Sequence, residues 1–383
     1  MVMRVAKGKK KSHFGDEHRE HTTIIRDLAS SSDLQDIGEG TLIYSTMAAG
    51  VVNNRQQVAM VIVMLAAAVL MAATTAEGFI SGKTWRDIRR VNREGGPFVG
   101  LVVPNAYEMD PVLKSPSFSP SHTVPYLDVQ GRRFRFGTIG GQNVVMVMTG
   151  LAMLNAGLTT QLLLSLFNVK GIVHWGIAGN ANEDLQIGDV TIAEQWAHLS
   201  LWNWQRHGDG PETELALEAA GDYTRELGAL NFSDYTTGGD HQGNTLNSIC
   251  ARYLAIAAEK LEGMELPACV NGTTTCLPRA PRVVRVSHGC SANVFVDNAA
   301  YRQFVRSRFG CSPVEMESAA VALVARQLGV PFLTIRSLSD LAGGGSELGN
   351  EAAAFHGIAA QNAVDVMLKF VPLLAGDHHV AED

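Results

Sequence analysis

No Cys-x-x-Cys pair occurs among the five cysteines, Cys250, Cys269, Cys276, Cys290 and Cys311, so the chain carries no zinc site of the usual spacing. Positive charge is not in excess either. The formal net charge is −7, which argues against a general nucleic-acid binder, because such proteins carry a basic face. There is no internal repeat, and no second stretch that would bury a core of its own. Long apolar runs are scarce: residues 58–71, "VAMVIVMLAAAVLM", are too short for a transmembrane helix of ordinary length. Gly137, Gly140 and Gly141 lack the spacing of a dinucleotide-binding loop, and no strand-to-helix context follows, so they read as turns. His198 and His207 fit no familiar metal spacing, and Trp202 and Trp204 read as packing or a loop wall. Neither a metal nor a cofactor is implied. What remains is a 383-residue chain, 46% hydrophobic and 18% charged, with an ordinary globular composition and room for one large domain or two.

The N-terminal part differs from the rest. Residues 1–46 are polar, include the basic run "KGKKK" and show no sustained apolar period, which predicts a disordered extension over residues 1–54. Residues 55–76 follow the layout of a secretory signal peptide. Arg55 precedes a short apolar run, small residues follow, and cleavage after Ala76 would leave Glu77 first. Such segments normally begin a chain, so Met47 is a natural start and residues 1–46 read as an upstream extension. An uncleaved anchor over residues 58–73 is the alternative. The expectation is a secreted or vacuolar protein with no stable membrane association after cleavage. Asn231-Phe-Ser and Asn271-Gly-Thr are glycosylation sequons that agree with it. Cys269 and Cys276 bracket "VNGTTT", a turn-rich loop that a disulfide would close in an oxidising compartment.

Residues 77–97 read as a linker, 98–374 as the folded domain and 375–383 as a disordered tail. "PFVGLVV" is a short buried-type strand. "YLDVQGRRFRFGTIGGQNVVMVMTG" holds alternating runs broken by turn residues and predicts antiparallel strands. Asn155 is placed to cap a helix through "LTTQLLLSLF". "KGIVHWG", "DVTIAEQWAH" and "RVVRVSHG" read as strands, and a helix follows over residues 297–308. Residues 205–281 resemble long insertions with one helix near "SICARYLAIAAEKLEG". In "VEMESAAVALVARQLGVPFLTIRSLSD", Met316, Ala319, Ala320, Leu323, Val324 and Leu328 recur at steps of three and four and mark one helix face. Glu315 and Glu317 fall in its first turn, where the helix dipole favours negative charge. Gly329 and Pro331 end the helix, and "PFLTIRSLSD" reads as a strand ending at Asp340. A last helix runs over about residues 350–374. Strands alternating with helices predict a three-layer αβα sandwich around a mixed sheet, with ligands bound beyond the carboxyl ends of its strands.

Two of these stretches, in order and at matching spacing, resemble the signature regions of the nucleoside phosphorylase superfamily: "VEMESAAVA" with "GVPFLTIRSLSD", and "GIAGNANEDLQIGDVTIAE". The resemblance covers residues 98–374 apart from the insertions. It points in particular to 5′-methylthioadenosine/S-adenosylhomocysteine nucleosidases and to plant bark and vegetative storage proteins. It implies a purine nucleoside as the small-molecule partner and leaves a homo-oligomer open. By the same resemblance Glu317 would bind the ribose hydroxyls, Met316 would pack on the sugar and Asp340 would protonate N7 of the departing base. Phe295 would stack on the purine, with the Val296 backbone at its edge. A carboxylate can accept two hydroxyl hydrogen bonds and stabilise a sugar that becomes cationic. Without the resemblance, Phe295 reads as a core residue.

The family's water-activating glutamate corresponds best to Glu108, with Asp110 as the alternative; the plain reading of both is a solvated loop carboxylate. The amides of Ala178 and Gly179 would line the nucleophile site, although Ile177 and Asn180 replace the family's serine and glycine. Where the family's phosphorylases place arginines, this chain has His174 and Trp175, and Pro104 and Asn105. That favours hydrolysis over phosphorolysis, because neither histidine nor asparagine matches the bidentate charge of arginine. Arg336 stays near Asp340, as it does in the hydrolases. The glycine-rich stretch 342–349 reads as a lid or a plain linker.

Overall fold

The computed structural model describes residues 61–64, 80–200, 231–232, 242–243, 247–269, 276–343 and 352–375. The chain divides into two units, Met1–Phe79 and Ile80–Asp383. Of the first, Val61, Ile62, Val63 and Met64 are described, as helix with exposed side chains. The expectations for residues 1–54, the cleavage point and the Asn271 sequon lie outside the described residues.

The second unit is a three-layer αβα sandwich. Helix α1 (Gly82–Gly95) lies in the stretch read as a linker, and its Ile88 and Val91 are buried in the main core. Strand β1 (Phe98–Val103) is buried along its whole length, as its unbroken apolar sequence demands. Helix α2 (Ala106–Lys114) follows, then β2 (Phe118–Pro120), β3 (Tyr126–Val129), β4 (Arg132–Ile139) and β5 (Gln142–Met148). The predicted antiparallel pairing holds for β3 with β4 and for β4 with β5. Gly140 and Gly141, both at positive φ, form the two-residue turn between β4 and β5 rather than a dinucleotide loop.

Helix α3 (Met153–Leu166) leads to β6 (Val169–Asn180) and β7 (Val190–His198). Two short strands, β8 (Asn231–Phe232) and β9 (Gln242–Gly243), pair with each other, and β10 (Asn247–Ser248) pairs with β7. Helix α4 (Ala251–Lys260), β11 (Val283–Ser291), α5 (Ala299–Phe309), β12 (Cys311–Glu315), α6 (Ser318–Gln327), β13 (Phe332–Leu341) and α7 (Ala352–Phe370) complete the order. The sheet is mixed, as expected. β1 is parallel to β5 and β6, β13 is parallel to β6, and β12 runs antiparallel to β6. Helices α3 and α6 pack together; α7 packs on β13 and β6 and against α2, and its Phe370 meets Tyr253 of α4.

Several local expectations are corrected. Asn155 does not cap α3; the cap position is Ala152, at φ 75°, and Asn155 instead accepts a hydrogen bond from Arg132. The predicted strand "KGIVHWG" runs on through residues 176–180 to the end of β6. Glu315 does not lie in the first turn of a helix. It closes β12, a strand hidden from sequence reading by its brevity and by Pro313, and α6 begins only after Glu317. The period of α6 was legible and its face in part: Ala319 and Val324 are buried as expected, but Leu323 and Leu328 are exposed, while Ser318, Val321, Ala322 and Ala325 also face inward.

Cys269 and Cys276 form a disulfide, as anticipated, and Cys290 and Cys311 form a second that ties β11 to β12.

Candidate active site

The carboxyl ends of β1, β6, β12 and β13 meet at a cavity of about 200 Å³. Glu108, Ala178, Gly179, Phe295, Val296, Met316, Glu317 and Asp340, widely spaced in sequence, all line it. Two other clefts are larger, about 290 and 660 Å³, but neither gathers buried carboxylates from separate elements.

Each side chain is placed by a local cause. Glu108 sits in the first turn of α2, which Asn105 caps through a 3.1 Å hydrogen bond from the Glu108 amide. Trp175 of β6 donates to the Glu108 carbonyl at 3.2 Å and ties that turn to the sheet. The Glu108 carboxylate turns inward, and its Oε1 accepts the Ile177 amide at 2.7 Å. Its Oε2 is buried with no partner among the described residues. Burial pushes the Glu108 pKa up to about 7, against the opposing pull of Arg336. The solvated-loop reading of Glu108 is therefore overturned. Helix α2 escaped sequence reading because it is short and contains Pro111, a residue that ordinarily breaks a helix interior. Asp110 faces outward, where it pairs with Lys114 at 3.5 Å. Gly176 is required beside this group, since a Cβ there would collide with Arg336 and with Glu108 Oε1.

The two glutamates around Met316 have different surroundings. Glu315 is consumed by the protein: it accepts from Ser291, from the amides of Glu317 and Ser318, from the Ser318 hydroxyl and from Arg336. Glu317 is less engaged. Its Oε1 accepts the Ala152 amide at 2.8 Å, and Arg336 Nη2 stands 3.5 Å from its Oε2. Ala152 holds a positive φ that alanine seldom adopts. Burial first, then the neighbouring Glu315, raise the Glu317 pKa.

Asp340 arrives through an irregularity in β13. Its register on β6 shifts between Leu338 and Asp340, where an extra residue re-aims the strand. Ser339 donates to Asp340 Oδ1 at 2.6 Å and is also 3.2 Å from the Ala178 carbonyl. Phe295 is not a core residue; it is 59% exposed and stands at the rim beside Val294. His198 ends β7 and accepts the Ser200 amide at 3.2 Å, while His207, Trp202 and Trp204 lie outside the described residues. Ala342 lines the cavity; residues 344–349 lie outside the description.

A family model described as the phosphorylase superfamily matches residues 98–372. The chain belongs to the phosphorylase superfamily. Among curated relatives, this superfamily member is 28% identical over 295 residues to bark storage protein A of Populus deltoides, covering 71% of this chain and 88% of that one. It is 27% identical over 245 residues to the 5′-methylthioadenosine/S-adenosylhomocysteine nucleosidase of Treponema pallidum, covering 64% and 84%. Among solved structures, its fold matches an aspartate-to-asparagine variant of the Helicobacter pylori nucleosidase with 5′-methylthioadenosine in the active site. The TM-score is 0.53 at 19% identity, covering 73% of this chain and 100% of that one.

Proposed function

We propose that the chain hydrolyses the N-glycosidic bond of a purine nucleoside. The observation that carries this reading is the make-up of the cavity. It presents Glu108, Glu317 and Asp340 on an otherwise largely apolar wall, and its described lining contains no lysine, arginine or histidine. A phosphate nucleophile would find no cationic partner there, whereas water needs only a base. Arg336 is close by, but its guanidinium is occupied by Glu315, Ser318 and the Ile177 carbonyl.

In this mechanism the purine lies against Phe295, with Val296 at its edge, and the ribose sits over Met316. Asp340 gives its proton to N7, so the base leaves neutral as the C1′–N9 electron pair moves onto the ring. Glu317 accepts the ribose hydroxyls and stabilises positive charge on the sugar. Water beside the unpartnered Oε2 of Glu108 loses a proton to that carboxylate as its oxygen bonds to C1′. A Glu108 pKa of about 7 suits a base that works near neutrality. The products are free purine and free sugar. The likeness to the nucleosidases of T. pallidum and H. pylori supports this assignment.

One finding favours a second reading, a storage protein that keeps the fold while catalysis is weak or absent: the likeness to a bark storage protein. Assay of the purified protein against a nucleoside panel, with and without phosphate, separates the readings. The expected result is purine release at a rate indifferent to phosphate. Phosphate-dependent release of a sugar 1-phosphate would overturn hydrolysis. No release from any nucleoside, together with abundance in a storage tissue, would establish the second reading.

A further inference from the structure

His174 has no part in the chemistry above, yet it is fully buried beneath the site. Its Nδ1 is 2.9 Å from the Val102 carbonyl of β1, and its Nε2 meets Nη2 of Arg336. A carbonyl only accepts and a guanidinium only donates. One state of the ring satisfies both contacts: Nδ1 protonated, Nε2 bare and the imidazole neutral. Burial, and then the Arg336 charge, agree by holding the His174 pKa well below the ordinary range.

Nη2 of Arg336 carries two hydrogens but has four acceptors around it. They are His174 Nε2, Ser318 Oγ at 3.0 Å, Glu315 Oε2 and Glu317 Oε2. Glu317 is the most distant, at 3.5 Å. A hydrogen directed to His174 is not directed to Glu317.

We propose that His174 is a positioning residue: its neutral acceptor draws Arg336 toward β1 and off Glu317, which keeps the Glu317 carboxylate available to a ligand's hydroxyl groups. The groups that face Glu317 are Arg336 from β13, Glu315 from β12, Glu108 from α2 and the Ala152 amide at the start of α3. Asp340 lines the same cavity. Without the His174 acceptor, Arg336 closes on Glu317, and the closer cation lowers the carboxylate's proton affinity. The role given to the ligand rests on the nucleosidase reading; the Arg336 geometry does not.

The test uses the full chain with 13C-labelled glutamate carboxyls, the Glu317 signal being assigned with Glu317→Gln. In His174→Leu, the Glu317 midpoint should fall by about one pH unit. Affinity for a purine nucleoside should weaken about tenfold while affinity for the free purine holds, because the lost contacts belong to the sugar. His174→Gln, whose Oε1 can stand where Nε2 stood, should return both quantities toward wild type. Should the leucine variant fail to fold, His174→Asn, polar but too short to reach Arg336, should shift both in the same direction. An unchanged or raised midpoint in these variants, or a glutamine variant indistinguishable from leucine, would overturn the proposal. The titration needs no ligand. A wild-type chain that binds no nucleoside would therefore refute the nucleosidase reading while the His174 result is still read in the same samples.

Discussion

Asp340 and Glu317 divide the proposed work between base and sugar, and substitution should separate them. Asp340→Asn keeps the shape but cannot supply the proton, so kcat should fall by about 10²- to 10⁴-fold with a smaller change in KM. Glu317→Gln should affect both constants, since its contacts form in the ground state and strengthen as the sugar becomes cationic. Steady-state kinetics on the best nucleoside distinguishes the two; an undiminished kcat in Asp340→Asn would make the residue scaffold. Glu108 makes a further prediction through pH. Its folded pKa of about 7 lies above the ordinary carboxylate value of 4.5, so the native state holds a proton that the unfolded chain has lost. Between those values, stability should fall as pH rises, and activity should rise as the base form appears. Glu108→Gln should make the stability profile less steep over that window, the remaining slope belonging to Glu317, whose pKa is also raised, and should abolish hydrolysis, as read by urea unfolding and by the assay. Asp340, Glu317 and Met316 were legible because they lie in contiguous signatures. The burial of Glu108 was not, because it depends on Ile177 and Trp175, some seventy positions away.

At the scale of elements, the connection from β6 to β7 shows how a loop is held beside the site. Asp189 is completely buried and accepts a forked pair from Arg279, at 2.8 and 2.6 Å, together with the amides of Arg282 and Gln186. Asp189→Ala would leave these donors without their acceptor. Because Arg279 is 39% exposed and water can replace part of the loss, the cost should be about 2 kcal/mol rather than that of a fully buried pair. Urea unfolding should show a lower midpoint at an unchanged slope; a midpoint equal to wild type would refute the role. The long strands and helices were readable because many residues repeat one period. The short ones were not. β12 has five residues, and α2 has nine with a proline inside, so neither offers enough repeats to outweigh its breaker. The face of α6 was only partly legible: Ala319 and Val324 are buried as expected, but Ser318, Ala322 and Ala325 also face inward while two leucines remain outside.

On the scale of the whole molecule, the two disulfides and the N-terminal segment pose one question, the compartment in which the chain matures. We expect a secreted product starting near Glu77, with Cys269 joined to Cys276, Cys290 joined to Cys311 and Cys250 free. N-terminal sequencing and non-reducing peptide mapping of protein from its native tissue would check this. Intact residues 1–46 with four free thiols would refute it. The sequence by itself determined the layer architecture, the mixed sheet and three of the four strands whose ends carry the site, β1, β6 and β13, because periodicity and turn residues act over short stretches. It also named the residues at the cavity, through two motifs that resemble a known family. Only the tertiary structure decided that Glu315 is spent on the protein while Glu317 is less engaged, that Glu108 is buried with a raised pKa, and that His174 meets Arg336. Those properties depend on how one guanidinium is shared among groups brought together from β6, β12, β13, α2 and the start of α6, and no local pattern records that sharing.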